Sequence, residues 1–272
     1  MNLLVMALIV AGAASVGIAV MYAVRRLTKT DEFLTDTTRG SAIFGVIGTA
    51  FAVLLAFVMF VAFESFNEAR DSAEAEAAEV MNLFHTADYL PTEVPDELQG
   101  ELACYARAVV HQEWPAMRSG ESAPVVETWV DDFNATMQRI EPRSEAETNA
   151  YRQLFAQETA RELARRERLL ESESIVSPPV WFILGIAGLA TVGFVVLFTD
   201  RREDFFVQAS MIGAVAGLVA ASLVLVWFLD HPYRGAQGSI EPTEMERTIE
   251  ALDHESRGFP LPCNEAGERT AT

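Results

Sequence analysis

Few side chains in this 272-residue chain are placed to do chemistry, and those that are stand at helical spacing. Glu64, Glu68 and Asp71 are four and three residues apart, so on a helix they share one side. They follow a 23-residue run, Ser41 to Phe63, that carries no charge. Repeated around a symmetric ring, such carboxylates would draw inorganic cations to the mouth of a pore. On a single exposed helix the same spacing is a solvated face, and the residues leave both readings open. Cys104 and Cys263 are the two cysteines. Any arrangement with four membrane passes puts them on the same side; outside the cell they could form a disulfide, and otherwise they are two unrelated thiols.

Other chemistry is not expected. His85, His111, His231 and His254 are scattered singly, whereas a metal site needs convergent ligands. No GxSxG, phosphate-cradling glycine loop, HExxH or paired Cys/His arrangement occurs. An enzyme, a metal and a cofactor are therefore not anticipated. The formal charge of −19 also disfavours nucleic acid as a partner, because phosphate binding needs clustered Lys and Arg.

The elements that would position these residues follow from the hydropathy. Four apolar blocks, Leu3 to Val24, Ser41 to Phe63, Pro178 to Phe198 and Phe205 to Leu229, each have the length of a helix crossing a bilayer. The expected fold is all-α, with four transmembrane helices and a large helical extramembrane domain between helices 2 and 3. Residues 1–63 hold the first two spans, 64–177 the acidic domain, 178–229 the last two spans, and 230–272 a tail with one short helix and a disordered end. None of the spans has a charged residue or histidine in its interior, which argues against coupled transport.

Small residues mark where helix backbones can approach closely in lipid. Ala209, Gly213, Gly217 and Ala221 recur every four residues in the fourth span. Ser41, Gly45, Gly48, Ala52 and Ala56 line one side of the second. Such stripes serve packing within one subunit, or else a subunit contact or pore wall. Phe57, Phe60 and Phe63 could form a hydrophobic constriction or anchor the helix in lipid.

No Gly or Pro interrupts residues 64–90, and Phe66, Ala69, Ala73, Ala77, Val80, Phe84 and Ala87 step by three and four. The second span should therefore continue into water as one rod with a buried stripe. The segment 64–177 carries 24 acidic and 10 basic residues. A second helix is marked by Leu98, Leu102, Tyr105 and Val109, and a third by Val126, Trp129, Phe133, Met137 and Ile140. A fourth starts near Ser144, with Glu147 as a capping box; Phe155, Thr159, Leu163 and Leu170 are assigned to its inner side, and Glu158, Glu162 and Arg166 to its outer side. Basic residues in the loops 25–40 (Arg25, Arg26, Lys29, Arg39) and 200–204 (Arg201, Arg202) place those loops in the cytoplasm and the large domain and tail outside. The first block exceeds a signal peptide and is followed, not preceded, by its positive charges, so a retained span is expected.

The order of FGVIGTAFAVLLAFV, FNEARDSAEAEAAEV, RELARRERLLESES, PPVWFILG and LDHPYRG followed by SIEPTEMERTIEAL resembles the bacterial bestrophin-like family of four-pass membrane proteins. The resemblance implies a multi-pass protein of the bacterial inner membrane. Bestrophins proper are pentameric anion channels with a hydrophobic neck on the second span. The likeness thus implies a homo-oligomeric ion channel here, with Gly45, Gly48, Ala52 and Ala56, or Phe51 and Leu55, toward the axis. Two departures are visible: the proline-bearing neck motif is missing from span two, and the candidate vestibule is acidic, which repels anions. The alternative is a non-conducting membrane sensor or interaction protein acting through its acidic helical domain.

Overall fold

The computed structural model describes residues 2–27, 37–91, 94–200, 202–255 and 260–270. The helices are α1 (Leu3–Leu27), α2 (Thr37–Ala87), α3 (Pro95–Ala108), α4 (Trp114–Met117), α5 (Pro124–Gln138), α6 (Glu145–Leu170), α7 (Pro178–Leu197), α8 (Phe205–Leu229) and α9 (Thr243–Glu255). A π-helical turn, Val109–Glu113, joins α3 to α4. The described residues contain no strand, only an isolated antiparallel bridge between Cys263 and Arg269. Four helices, α1, α2, α7 and α8, are long and apolar enough to cross a membrane. The chain divides into one unit of residues 1–65 and 174–231 and a second of 66–173 and 232–272.

In the first unit α8 packs on α1 and α7. A Cβ at Gly17 would lie 3.1 Å from the Ala216 methyl, and one at Gly213 3.1 Å from Ile18. Glycine at both positions lets the two helices approach closely. Asp204 caps α8, accepting from the amide of Phe206 at 2.7 Å. At the other end, Asp230 accepts from the amides of Ile175 and Val176 at 2.9 and 2.8 Å and from the Ser174 hydroxyl at 2.6 Å. One carboxylate thereby ties the end of α8 to the segment leading into α7. Of the basic residues that set the expected orientation, Lys29 and Arg201 lie outside the described residues. Arg25 donates to Gln208 Oε1 (3.2 Å) and to the carbonyl of Glu203 (3.0 Å).

The second unit has its own core, in which Val80, Leu83 and Phe84 of α2 meet Leu98, Leu102 and Tyr105 of α3, Trp129 and Phe133 of α5, and Leu252 of α9. Ser144 caps α6 by accepting from the Glu147 amide at 3.2 Å, while the Glu147 carboxylate accepts from the amide of Arg143 at 2.6 Å. Sequence spacing assigns α6 the wrong inner side. Phe155, Leu163 and Leu170 are exposed, and the buried face is Ala150, Leu154, Glu158, Arg161, Ala164, Arg165 and Arg168.

The reason is a buried ionic cluster. Arg168, fully enclosed, pairs with Glu76 of α2 and donates to Glu113 at 2.6 Å. Arg165 pairs with Glu113 at 2.7 Å and Glu127 at 2.8 Å. Arg161 pairs with Glu158 and lies 4.5 Å from the centre of the Tyr105 ring, whose hydroxyl donates to Glu76 at 2.5 Å. Burial disfavours each guanidinium charge, but the groups around it outweigh that and raise all three arginines above their ordinary range: Tyr105 and then Glu158 for Arg161, Glu113 for Arg165, and Glu76 and Glu113 for Arg168. Burial likewise pushes Glu113 up, and Arg168 and Arg165 more than reverse it, holding its carboxyl below the usual range.

Removing one partner of a buried pair leaves an uncompensated charge, which costs about 3–5 kcal/mol. Arg168→Ala should therefore lower unfolding free energy by about that amount in denaturant titrations followed by near-UV circular dichroism. Leu163→Ala, on the exposed side of the same helix, should change it by no more than about 0.5 kcal/mol.

Candidate functional site

Helix α2 carries the six candidate pore residues and the three candidate mouth residues. It contains no Gly or Pro after Gly48, so nothing in the sequence interrupts its hydrogen-bond ladder past Glu64. Its six candidate pore residues do not share one environment. Gly45, Ala52 and Ala56 are exposed, Gly48 and Leu55 are half-buried, and Phe51 is buried at 6% exposure. The Phe51 ring instead packs toward α7, where a Cβ added to Gly188 would meet it at 3.7 Å. Phe51 and Gly188 are thus a knob and its seat inside one protomer.

The glycines divide in the same way. A Cβ at Gly17, Gly188, Gly213 or Gly217 would meet a neighbouring helix, whereas one at Gly45 or Gly48 of α2, Gly12 of α1 or Gly185 or Gly193 of α7 would meet nothing within 4 Å among the described residues. The small residues of the fourth span are therefore used within the protomer: Ala209 is buried, Gly213 approaches Ile18, Gly217 approaches Val10 and Ala14, and Ala221 is half-buried. Those of the second span are not. Phe57, Phe60 and Phe63 are all exposed, Phe57 at 66%. Glu64, Glu68 and Asp71 follow on the exposed side of α2.

Cys104 of α3 and Cys263 are joined by a disulfide across 159 residues of chain. Residues 260–270, where sequence composition suggested a disordered end, are held on the second unit by more than this bond. Trp129 Nε1 donates to the Gly267 carbonyl at 2.7 Å, and Arg269 pairs with Asp132 while lying 5.4 Å from the centre of the Trp129 ring. Gly267 has φ +75°, and a Cβ there would come within 2.3 Å of the Ala108 amide nitrogen. Residues 256–259 and 271–272 of the tail lie outside the described residues.

A groove of about 610 Å³ is lined by Asp96, Glu97 and Glu101 of α3, by Trp129, Asp132, Ala135, Thr136 and Arg139 of α5 and its end, and by Pro260, Pro262, Arg269 and Thr270 of residues 260–270. Glu101 is 7% exposed. Its Oε1 accepts from the Thr136 hydroxyl at 2.9 Å and its Oε2 has no partner among the described residues. Burial pushes its carboxyl up to about 7 against the pull of the Thr136 hydrogen bond.

Sequence reasoning missed Glu76, Glu101, Glu113, Asp230 and the buried arginines. A signal for the last was present: Arg161, Arg165 and Arg168 step by four and three, as regularly as an apolar stripe. No group of three or more His, Cys, Asp or Glu that could hold a metal ion occurs among the described residues.

The bestrophin-like domain matches residues 7–245. Crystal structures of a bacterial bestrophin homolog from Klebsiella pneumoniae are similar in fold. One has a TM-score of 0.66 at 13% identity, covering 95% of this chain and 100% of that one. A point variant has a TM-score of 0.67 at 14% identity, covering 94% and 99%. A crystal structure described only as a membrane protein variant has a TM-score of 0.67 at 13% identity, again covering 94% and 99%. No curated protein matches the chain.

Losing a disulfide from a small domain costs roughly 2–4 kcal/mol. The double variant Cys104→Ser, Cys263→Ser should release residues 260–270, so that trypsin cleaves after Arg269 at least about tenfold faster than in the oxidised protein, the factor that 1.4 kcal/mol of lost protection gives. Mass spectrometry of timed digests measures the rate.

Proposed function

Since the chain belongs to the bestrophin-like family, we propose that it forms a homo-oligomeric ion channel of the bacterial inner membrane, its pore lined by α2. The observation that supports this reading is the open small-residue side of α2: a Cβ at Gly45 or Gly48 would meet nothing, and Gly45, Ala52 and Ala56 are exposed. Gly12 of α1 and Gly185 and Gly193 of α7 are open as well; on α2 the open Gly45 and Gly48 continue at four-residue steps into the exposed Ala52 and Ala56, the kind of surface another helix backbone can approach closely in lipid. On this reading that side of α2 faces other copies or the conduction path.

The lining on this reading comprises Gly45, Gly48, Ala52 and Ala56, with Leu55 at the margin. Phe51 is set aside because it is committed to Gly188. Phe57 and Phe60 are placed to narrow the path, since apolar constrictions gate by dewetting. Glu64, Glu68 and Asp71 form the mouth, and their charge favours cations over anions.

The disulfide supports a sidedness. Such bonds persist in oxidising compartments and are rare in the cytoplasm, so the second unit and the tail face outward and loops 25–40 and 200–204 face the cytoplasm. A second reading, a non-conducting protein that engages a partner through its acidic domain, draws on the exposed apolar stripe Phe155, Leu163 and Leu170 of α6.

Purified protein in planar bilayers should conduct, with cations passing more readily than chloride. Ala52→Arg should suppress cation current severalfold by placing positive charge in the path. Silence in every salt, together with a monomeric particle size in detergent, would contradict the channel and leave the partner-binding reading.

A further inference from the structure

Helix α6 holds an apolar stripe in water that the protomer does not use. Phe155, Leu163 and Leu170 are 62%, 54% and 63% exposed. With Thr159 and Arg166 they share the side of the helix turned away from the buried arginines. Large apolar side chains in line on one helix mark a contact surface, whereas single exposed ones do not.

A seat of complementary size and charge lies on the same unit. A groove of about 440 Å³ is lined by Ala75, Ala77 and Ala78 of α2, with Glu74 beside them and Glu244 and Thr248 of α9 across from them. Arg70 pairs with Glu74 at 2.8 Å and lies in the field of Asp71 and Glu244 as well, and Arg247 pairs with Glu244 at 2.5 Å. Three carboxylates against two guanidiniums leave room for one more cation. On the stripe, Arg166 stands between Leu163 and Leu170, 3.6 Å from Glu162. All these pairs are exposed, so exchanging partners costs little.

The heights of stripe and seat agree. Glu76 of α2 pairs with Arg168 of α6. Farther along α2, Asn82, His85 and Tyr89 border a cavity with Asn149, Gln153 and Gln157, which come earlier on α6. The two helices therefore run antiparallel. Counted from the Glu76–Arg168 pair, Leu170 is level with Glu74, Arg166 with Ala78, and Phe155 with Tyr89, itself 72% exposed. Copies inserted the same way in one bilayer are related by rotation about its normal, which leaves every residue at its own height. The stripe of one copy thus stands level with the groove of the next. A two-fold contact between α6 helices would instead set Arg166 against Arg166.

We propose that the α6 stripe docks in the α2–α9 groove of an adjacent copy, with Leu163 and Leu170 on Ala75 and Ala78 and Arg166 between Glu74 and Glu244. The inference rests on the homo-oligomeric reading and names the two surfaces that build the oligomer. Because stripe and groove are different surfaces, the contact is heterologous and repeats around a closed ring. Leu163 and Leu170 then serve association, not folding of the protomer.

The test is oxidative crosslinking of the full-length protein in membranes, read on non-reducing gels. The pair Leu170→Cys, Ala75→Cys should give dimers and higher multimers. The pair Phe155→Cys, Ala75→Cys, separated by about 20 Å of helix axis, should give at least tenfold less. Leu170→Asp should reduce the oligomeric fraction in detergent about tenfold, measured by light scattering, with its near-UV circular dichroism unchanged. An oligomer in which the Leu170–Ala75 pair does not crosslink, equal crosslinking by both pairs, or an undiminished oligomer with Leu170→Asp would overturn the docking and leave the oligomer standing. A monomer in detergent with no crosslinks in membranes would overturn both.

Discussion

The pairing of Glu76 with Arg168 is the interaction on which the second unit depends. Neither side chain reaches water, so neither can ionise comfortably without the other. Glu76 lies on α2, and burying it fixes which side of residues 66–87 is turned into the core of that unit. Within the first unit, Phe51 of the same helix is buried toward Gly188 of α7, and Gly45, Ala52 and Ala56 are exposed.

A buried ionic pair contributes little net stability compared with apolar packing, but it is intolerant of misalignment. A rotation of α2 that brought Glu76 out of register would leave Arg168 with Glu113 as its one carboxylate and the Tyr105 hydroxyl without its acceptor. The cost of such a rotation is collective, as expected of a network in a medium of low dielectric constant. The exposed apolar stripe on α6 follows from the same commitment: with one side of α6 occupied by Arg161, Arg165 and Arg168, Phe155 and Leu163 are turned outward.

Much of the fold was legible in the sequence. Unbroken apolar runs are a strong signal because a lipid-spanning helix must satisfy its own backbone, and all four candidate spans are helices. The inner face of α5 and the cap at Ser144 were equally readable, since both rest on local spacing. The inward side of α6 was not. A rule that places apolar residues inside fails where long arginine stems carry their charges to buried carboxylates contributed by distant segments, as Glu76 and Glu113 are. The small-residue stripes were found, but their uses differ in a way that only packing distinguishes: Gly213 and Gly217 face α1, while Gly45 and Gly48 face open space.

The phase of α2 can be measured in the membrane. Single cysteines at Gly45, Phe51, Ala52, Ala56 and Val58, probed in intact membranes with a hydrophilic thiol reagent, report which positions meet water. The native cysteines are silent because they are joined to each other. Reaction at residues 45, 52 and 56, with protection at 51 and 58, is the pattern required if α2 lines a water-filled path with the side away from Phe51. Equal reaction at 51 and 58, or protection at all five positions, would contradict it.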